Sequence, residues 1–415
     1  MLAMFRRGLF YTYLSIYIRN FLGLSVTETT LYATLPMIMS VFFQNVVWGP
    51  ISDKIQKRRT LIILGEILAG IGTIIVWYTH SLFTNLYLAG YIIIIGLTCI
   101  EAFWSMSNIG WSALVSDIYK PIERGKVLGQ LQSLGGVGRI IGITIGGFIY
   151  ADGFGFRNGN LFFIASFVMF ISTIPMFLFT PEGGIHLKKQ DKNSLEKTNN
   201  NPEPKISDFE RSFKYFIIFI IALAFINFGR NSIAVPYSQY LTLESGFAVD
   251  SVLLGFIVNT RSVATILIGF TAGFFSKKFG HGKTLIIGTT IAITALMVTA
   301  LTGLLSLIFI GSFLIGTAEV LVYASSYAIA SVLIPEEKRG KRFGLYNLTF
   351  FLSWGLAGTA ISGPLIDFLI LQGQTEVFAY QIAFIMGAIL CVIGLIIFIG
   401  LEVWLYKENK LHRSM

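Results

Sequence analysis

Continuous apolar runs separated by short polar stretches repeat along the whole chain, at about 5–24, 30–51, 60–79, 86–116, 127–150, 161–180, 215–243, 251–275, 284–303, 306–334, 343–370 and 378–404. A bilayer core about 30 Å thick takes roughly 20 apolar helical residues per crossing. The pattern therefore predicts twelve membrane-spanning helices, with both termini on one side. Strands of a membrane barrel would alternate apolar and polar residues, and runs such as 61–78 and 216–228 do not. Three runs are long for one crossing, which predicts helices that tilt or project past the lipid. The fold class expected is an all-α polytopic membrane protein.

Composition excludes the alternatives. Of 415 residues, 54% are hydrophobic and only 13% charged, against about 25% charged in a soluble domain. Disorder and fibrous repeats fail on the same count. The net charge of +9 raises the question of nucleic acid, but its placement answers it. All lysines and arginines except Arg19, Arg139, Arg157, Arg230 and Arg261 fall at the N-terminus, the even-numbered connections or the C-terminal tail. The positive-inside rule then puts both termini in the cytoplasm, with the chain in the cytoplasmic membrane. The basic charge is topology, and no nucleic-acid partner is expected. Cys99 and Cys391 lie within apolar runs, which argues against a disulfide. Met1 to Arg7 leads straight into the first run with no small-residue cleavage site, so it reads as a retained span.

The twelve runs divide six and six around a polar connection containing Lys188-Lys189-Gln190-Asp191-Lys192 and Asn199-Asn200-Asn201-Pro202. This predicts an N-terminal bundle over 1–180, a cytoplasmic linker over 181–212 and a C-terminal bundle over 213–415. A repeat crosses the divide. Pro121-Ile122-Glu123-Arg124-Gly125-Lys126, followed by Gly129, matches Pro335-Glu336-Glu337-Lys338-Arg339-Gly340-Lys341, followed by Gly344. Gly49 and Lys54 match Gly273 and Lys278 in the same way. Both copies lie on one side of the membrane, so the halves are parallel repeats, an arrangement found in transporters. Superposed through Gly23 and Gly246, the halves align Arg7 with Arg230. On that alignment the first span is short or starts upstream.

Gly49-Pro50-Ile51-Ser52-Asp53-Lys54-Ile55-Gln56-Lys57-Arg58-Arg59 resembles the signature loop between spans 2 and 3 of the major facilitator superfamily, with Gln56 where a second glycine is expected. The second half repeats it as Gly273, Lys277, Lys278, Gly280 and Lys283, with Lys277 in place of the aspartate. The resemblance extends over nearly the whole chain. It implies a monomeric secondary transporter of alternating access, whose spans 3, 6, 9 and 12 support eight cavity-lining spans. It also implies that Asp53 caps a helix of the opposite half and holds the cytoplasmic side closed. Gly142-Ile143-Thr144-Ile145-Gly146-Gly147 resembles the family's antiporter signature without its proline. The same glycines, with Gly138, also read as a small-residue seam for close helix packing.

Five ionisable residues lie deep within spans: Glu101, Arg139, Arg230, Arg261 and Glu319. On insertion scales each costs about 2.5–3.5 kcal/mol at mid-bilayer, so such positions carry function by default. Each lies 15 or 16 residues from the cytoplasmic end of its span, roughly 24 Å at 1.5 Å per residue. They share one plane and, by the resemblance, belong to cavity-lining spans. Helical spacing adds Trp104, Asn108 and Ser112 to the face of Glu101, and Tyr323 and Ser326 to that of Glu319. Asn227 and Asn231 join Arg230, and Asn347 pairs with Trp354. Glu66, on span 3, is the one internal charge on the four supporting spans.

Aromatic faces with guanidinium and carboxylate groups suit a small organic solute bearing charge. Three arginines against two glutamates favour an anionic or zwitterionic one. Arg230 through Pro236-Tyr237 also resembles the anion-binding stretch of organophosphate antiporters. Pairs Glu101–Arg139 and Arg261–Glu319 have a second reading, as ion pairs that only staple helices. For proton coupling, His80, His186, His281 and His412 lie at edges or in loops, leaving Glu101 and Glu319. Glu319 is the preferred carrier, with Tyr323 and Ser326 as its donors, and Glu101 the substrate contact. A drug/proton exporter and a non-transporting receptor or scaffold remain as alternatives. No nucleotide loop, metal cluster or catalytic triad is apparent, so neither an enzyme nor a cofactor is expected.

Overall fold

A computed structural model describes residues 1–118, 121–183, 206–334 and 339–407. Those residues are almost entirely helical and fall into two compact units. One comprises Met1–Leu24 and Leu31–Asn201, the other Ser25–Thr30 and Pro202–Met415.

In the first unit, span 1 is Leu2–Ile16 continued by a π-helical turn, Tyr17–Phe21. Span 2, which belongs to this unit from Leu31 onward, runs through Val26–Phe42, a π-helical turn Phe43–Trp48 and Gly49–Ile55. Spans 3, 4, 5 and 6 are Arg58–Ser81, Leu86–Ile118, Pro121–Tyr150 and Asn160–Phe179. In the second, span 7 is Ile206–Asn231 followed, after a break, by Pro236–Thr242. Spans 8, 9 and 10 are Ser251–Phe279, His281–Leu301 and Leu305–Leu333. Span 11 is Arg339–Ala357, a π-helical turn Gly358–Ser362 and Gly363–Leu371, and span 12 is Glu376–Lys407.

Eleven of these, among the described residues, are long and apolar enough to cross a membrane. The first is the exception, because Arg6, Arg7 and Arg19 interrupt it. Span 7 starts at Ile206, inside the stretch expected to be linker up to 212. Charged residues there tolerate a helix that reaches beyond the apolar run. The rest of the connection, 184–205, and the repeat segment Pro335–Lys338 lie outside the described residues.

Proline accounts for the deformations of spans 2, 7 and 11. It lacks an N–H and its ring crowds the carbonyl four residues back. The π-helical turns of spans 2 and 11 end just before Gly49-Pro50 and Gly363-Pro364. In span 7 the helix breaks outright and restarts at Pro236.

Each unit closes on a seam of small residues. In the first, Gly138, Gly142 and Gly146 of span 5 meet the backbone of Met1, Phe5 and Leu9 of span 1. A methyl group on Gly146 would lie 2.7 Å from the Leu9 carbonyl oxygen, and the other two approaches are closer still. Gly142 and Gly146 of the antiporter-like stretch are therefore occupied in packing. In the second unit the seam joins spans 7 and 12: a Cβ on Gly387 would meet the Gly229 oxygen at 2.7 Å, and one on Gly394 the Ala222 oxygen at 2.6 Å. Without water to drive apolar association, such close approach is how helices hold together in lipid. Aromatic clusters fill the remaining interior. Phe10, Tyr17, Phe156 and Phe162 pack with ring centroids about 5 Å apart in the first, and Phe216, Phe219, Tyr346 and Phe398 form part of the second core.

Candidate functional site

The signature loop is built around one arginine. Arg58, buried, donates to the Ser52 carbonyl and hydroxyl and lies 3.4 Å from both Asp53 and Asp117. Asp53 itself is 81% exposed at its side chain, and Lys54 is exposed. Arg59 donates to the Thr180 carbonyl at 3.0 Å and lies 3.5 Å from Glu182, closing the end of span 6. Gln56, in the place of the expected glycine, has φ +59°, and Gly280 in the second copy has φ +83°. Both loops need a left-handed residue, which glycine supplies without strain. Gln56 supplies it with a side-chain bond of 2.6 Å from Nε2 to the Asp53 carbonyl. Arg124, Gly125, Gly273, Lys277, Arg339 and Gly340 lie in helices, but their side-chain surroundings fall outside the described residues. Lys278 lies 5.4 Å from the Phe279 ring.

In the first unit the centre of charge is Glu66, which the supporting position of span 3 had set aside. Its Oε1 accepts from Trp104 Nε1 and Ser107 Oγ, both at 3.0 Å, and its Oε2 from Arg6 Nη1 at 3.4 Å. The Arg6 guanidinium stacks over the Trp104 ring at 3.8 Å, with Arg7 5.0 Å from the same ring. Arg6 is buried and Arg7 exposed. The interior arginine is thus Arg6, whereas superposing the repeats had singled out Arg7. Glu101 takes its electrostatic neighbours from other spans: Ser40, Arg7, Arg6 and Glu66. Arg139, its expected partner, is partly buried on span 5. Glu101 and Trp104 do share a cavity, with Arg6, Phe10, Tyr11 and Thr73. Asn108 is half-buried one turn further on, and its carbonyl accepts from Ser112.

The second unit carries the expected pair. Arg261 donates to one oxygen of Glu319 from Nε at 3.0 Å and from Nη2 at 2.8 Å. Arg230 donates to Asn227 at 3.1 Å, and its Nε is buried without a partner. Asn227 and Asn231 reach across to Thr349 and Ser353 of span 11, at 3.2 and 2.9 Å. The expectation that Tyr323 and Ser326 serve Glu319 fails. Ser326 is fully buried against the Tyr346 hydroxyl at 3.0 Å, while Tyr323 is exposed and packs on Phe350. Residue 326 lies almost two turns beyond 319, so it faces a different neighbour. Asn347 and Trp354 are both exposed.

Two residues of the first cluster escaped the sequence reading. Arg6 looked like a flanking charge because Arg7 adjoins it. Glu66 did carry a signal, since a lone acid in an apolar run is costly. His80 was expected at an edge. It ends span 3 but is fully buried, with the Tyr17 hydroxyl 3.2 Å from its Nε2.

Eleven helices of membrane-crossing length among the described residues, with arginine and glutamate paired inside each unit, make this a multi-pass membrane protein, and the family to which it belongs makes it a transporter and not an enzyme. The chain belongs to the Major Facilitator Superfamily, whose sequence model matches residues 1–229 and again 219–412. Multidrug resistance protein 2 of Bacillus subtilis is 25% identical over 363 residues, 85% of this chain and 80% of that one. The proton-coupled antiporter flippase LtaA of Staphylococcus aureus (strain USA300) is 26% identical over 197 residues, 47% of this chain and 46% of its own. The crystal structure of nucleoside transporter NupG superposes with a TM-score of 0.70 at 16% identity, covering 97% of each chain. At that identity the likeness is one of fold.

Proposed function

We propose that this protein is a proton-coupled secondary transporter, acting as a monomer in the cytoplasmic membrane with both termini in the cytoplasm. Its cargo is a small organic solute with an apolar body and an anionic or zwitterionic group, moved by alternating access. The two bundles over 1–180 and 213–415 are the moving parts. The observation that carries the reading is the setting of Glu101. It lies within electrostatic reach of Arg6 and Arg7, with Ser40 beside it, while Glu319 is held by two short bonds from Arg261. A carboxylate exchanges its proton as an arginine approaches or leaves. Glu101 is therefore the proton carrier, and Glu319 the acid that shapes the solute site with Arg261 and Arg230. This reverses the roles drawn from the donors expected on the face of Glu319.

The test is transport in proteoliposomes, with a labelled panel of anionic, zwitterionic and lipophilic cationic solutes under an imposed pH gradient. Glu101→Gln abolishes gradient-driven accumulation and keeps counterflow exchange, which needs no net proton movement. Accumulation that survives in Glu101→Gln but fails in Glu319→Gln restores the opposite assignment. Accumulation in both makes the protein a facilitator. A second reading, export of lipophilic compounds, draws on the multidrug relative and on Phe10, Tyr11 and Trp104 around one cavity. Transport of a lipophilic cation with no anion bound would favour it. A receptor or scaffold would move nothing in the panel.

A further inference from the structure

Span 2 begins under the hold of another helix. The first four amides of a helix have no partner within it, and here each of them is met. Ser25 and Glu28 serve each other: the Ser25 amide donates to Glu28 Oε2 at 2.8 Å, and the Glu28 amide to Ser25 Oγ at 3.2 Å. That reciprocal cap is made by local sequence. The two amides between them, of Val26 and Thr27, donate to Oδ1 and Oδ2 of Asp367 in span 11, at 3.0 and 2.8 Å. Val26 is fully buried and Asp367 half-buried. One turn on, the hydroxyls of Thr30 and Thr359 lie 2.8 Å apart, and a Cβ on Gly363 would meet the Thr27 Cα at 2.8 Å. These contacts lie within the second unit, which takes in Ser25–Thr30, whereas span 2 from Leu31 onward belongs to the first.

We propose that Asp367 is a latch: its carboxylate clamps the start of span 2 onto span 11, at the end of span 2 away from the signature loop, and that side of the transporter opens only when the clamp lets go. The latch rests on the alternating-access reading and names what holds one side shut. A carboxylate on helical amides makes charge-assisted bonds and meets the positive end of the helix dipole. Exclusion of water strengthens the hold, because buried amides without a partner are costly, whereas water entering a gap satisfies them. The clamp is therefore firm while that side is dry and replaceable once it is wet. Asp367 reaches span 2 through a deformation of its own helix: the π-helical turn Gly358–Ser362 and Pro364 reorient the segment Gly363–Leu371 that carries it. Ser362, in that turn, donates to the Ser232 carbonyl at 2.6 Å, in the break of span 7 just beyond Arg230. The segment bearing the latch is thus tied to the helix bearing Arg230. Asp53 stands near the end of span 2 as Asp367 stands near the end of span 11. Of the two, Asp367 is seated on helical amides, and Asp53 is 81% exposed beside Arg58.

The test is distance measurement between paired spin labels in the full chain in nanodiscs, on a Cys99→Ser, Cys391→Ser background. Thr84→Cys with Gln374→Cys reads the side of Asp367, and Lys57→Cys with Lys407→Cys reads the signature-loop side; all four positions are exposed. Asp367→Ala adds a longer distance on its own side and raises that population roughly five- to thirtyfold, the range that loss of a helix cap spans. Asp367→Asn, which keeps one acceptor and the volume, shifts it less and covers the case in which Asp367→Ala does not fold. Thr30→Val, which removes the hydroxyl pair, moves the same distance in the same direction by a smaller amount. Asp53→Asn lengthens the other pair instead. Unchanged distances in whichever Asp367 variants fold, with or without a lower unfolding temperature, make the carboxylate a plain structural cap and overturn the latch. Gradient-driven transport beside that result leaves the transporter reading standing. Distances that shift as expected, with nothing in the solute panel moved, keep the latch and sink the transport reading.

Discussion

Each unit joins an arginine and a glutamate from two different spans, yet the two clusters are built oppositely. In the first, Glu66 accepts from Arg6, Trp104 and Ser107, and the pair is 2% and 13% exposed. In the second, Arg261 holds Glu319 through one oxygen, and the side chains are 25% and 36% exposed. A carboxylate with three donors from two other helices is fixed in place, and its loss would strand a buried guanidinium. An open pair is screened and can part. The contrast assigns rigidity to the buried Glu66 network and openness to the Arg261–Glu319 pair.

Deleting the acid in each unit is the sharpest way to break the contrast. Glu66→Ala leaves Arg6 buried beside no counter-charge in hydrogen-bonding range, at a cost of about 3–5 kcal/mol. Glu319→Ala, where both partners are part open, costs roughly 1 kcal/mol. Thermal unfolding in nanodiscs compares them, and equal losses would erase the distinction between network and pair.

Next in size is the seam. A Cβ on Gly142 meets the Phe5 carbonyl oxygen, so Gly142→Ala forces spans 1 and 5 apart, costing about 1–3 kcal/mol as overpacking does. Nothing lies within 4 Å of a Cβ on Gly400, and Gly400→Ala is neutral or stabilising by about 0.4–1 kcal/mol. A harmless Gly142→Ala would show the seam to be slack.

The signature loops differ by about 1 kcal/mol, the lower end of what a left-handed backbone costs a residue with a side chain. Gln56→Gly is therefore stabilising by up to that amount, less the 2.6 Å side-chain bond it removes, whereas Gly280→Ala is destabilising. Opposite signs in the unfolding midpoints sharpen the comparison, and the same sign would refute it. The smallest stability effect belongs to Asp53→Asn, below about 1 kcal/mol for so exposed a group. Its expected consequence lies in function, as slower transport and greater cytoplasmic accessibility if Asp53 latches that side. Unchanged turnover and accessibility would dismiss the latch.

Much of this architecture is legible without coordinates. Lipid cannot hydrogen-bond a backbone, so a crossing must be a helix and must announce itself as an apolar run. Charge inside such a run is expensive, which is why Glu101, Arg230, Arg261 and Glu319 stand out in the sequence. The loop motif is local, and its need for a left-handed residue survives even where Gln56 replaces glycine. What the chain alone does not state is rotation. Neighbours in sequence sit about 100° apart around a helix, so Arg6 turns inward to Glu66 and Trp104 while Arg7 is exposed. Only packing chose between them: span 1 is pressed onto the glycines of span 5, and that contact sets which arginine faces the interior. Rise along the helix, about two turns, put Ser326 against Tyr346 and out of reach of Glu319, and packing brought Glu66 from a supporting span to the middle of a charged network. Depth in the membrane is written in one dimension, but which side chains meet is a property of helices already packed.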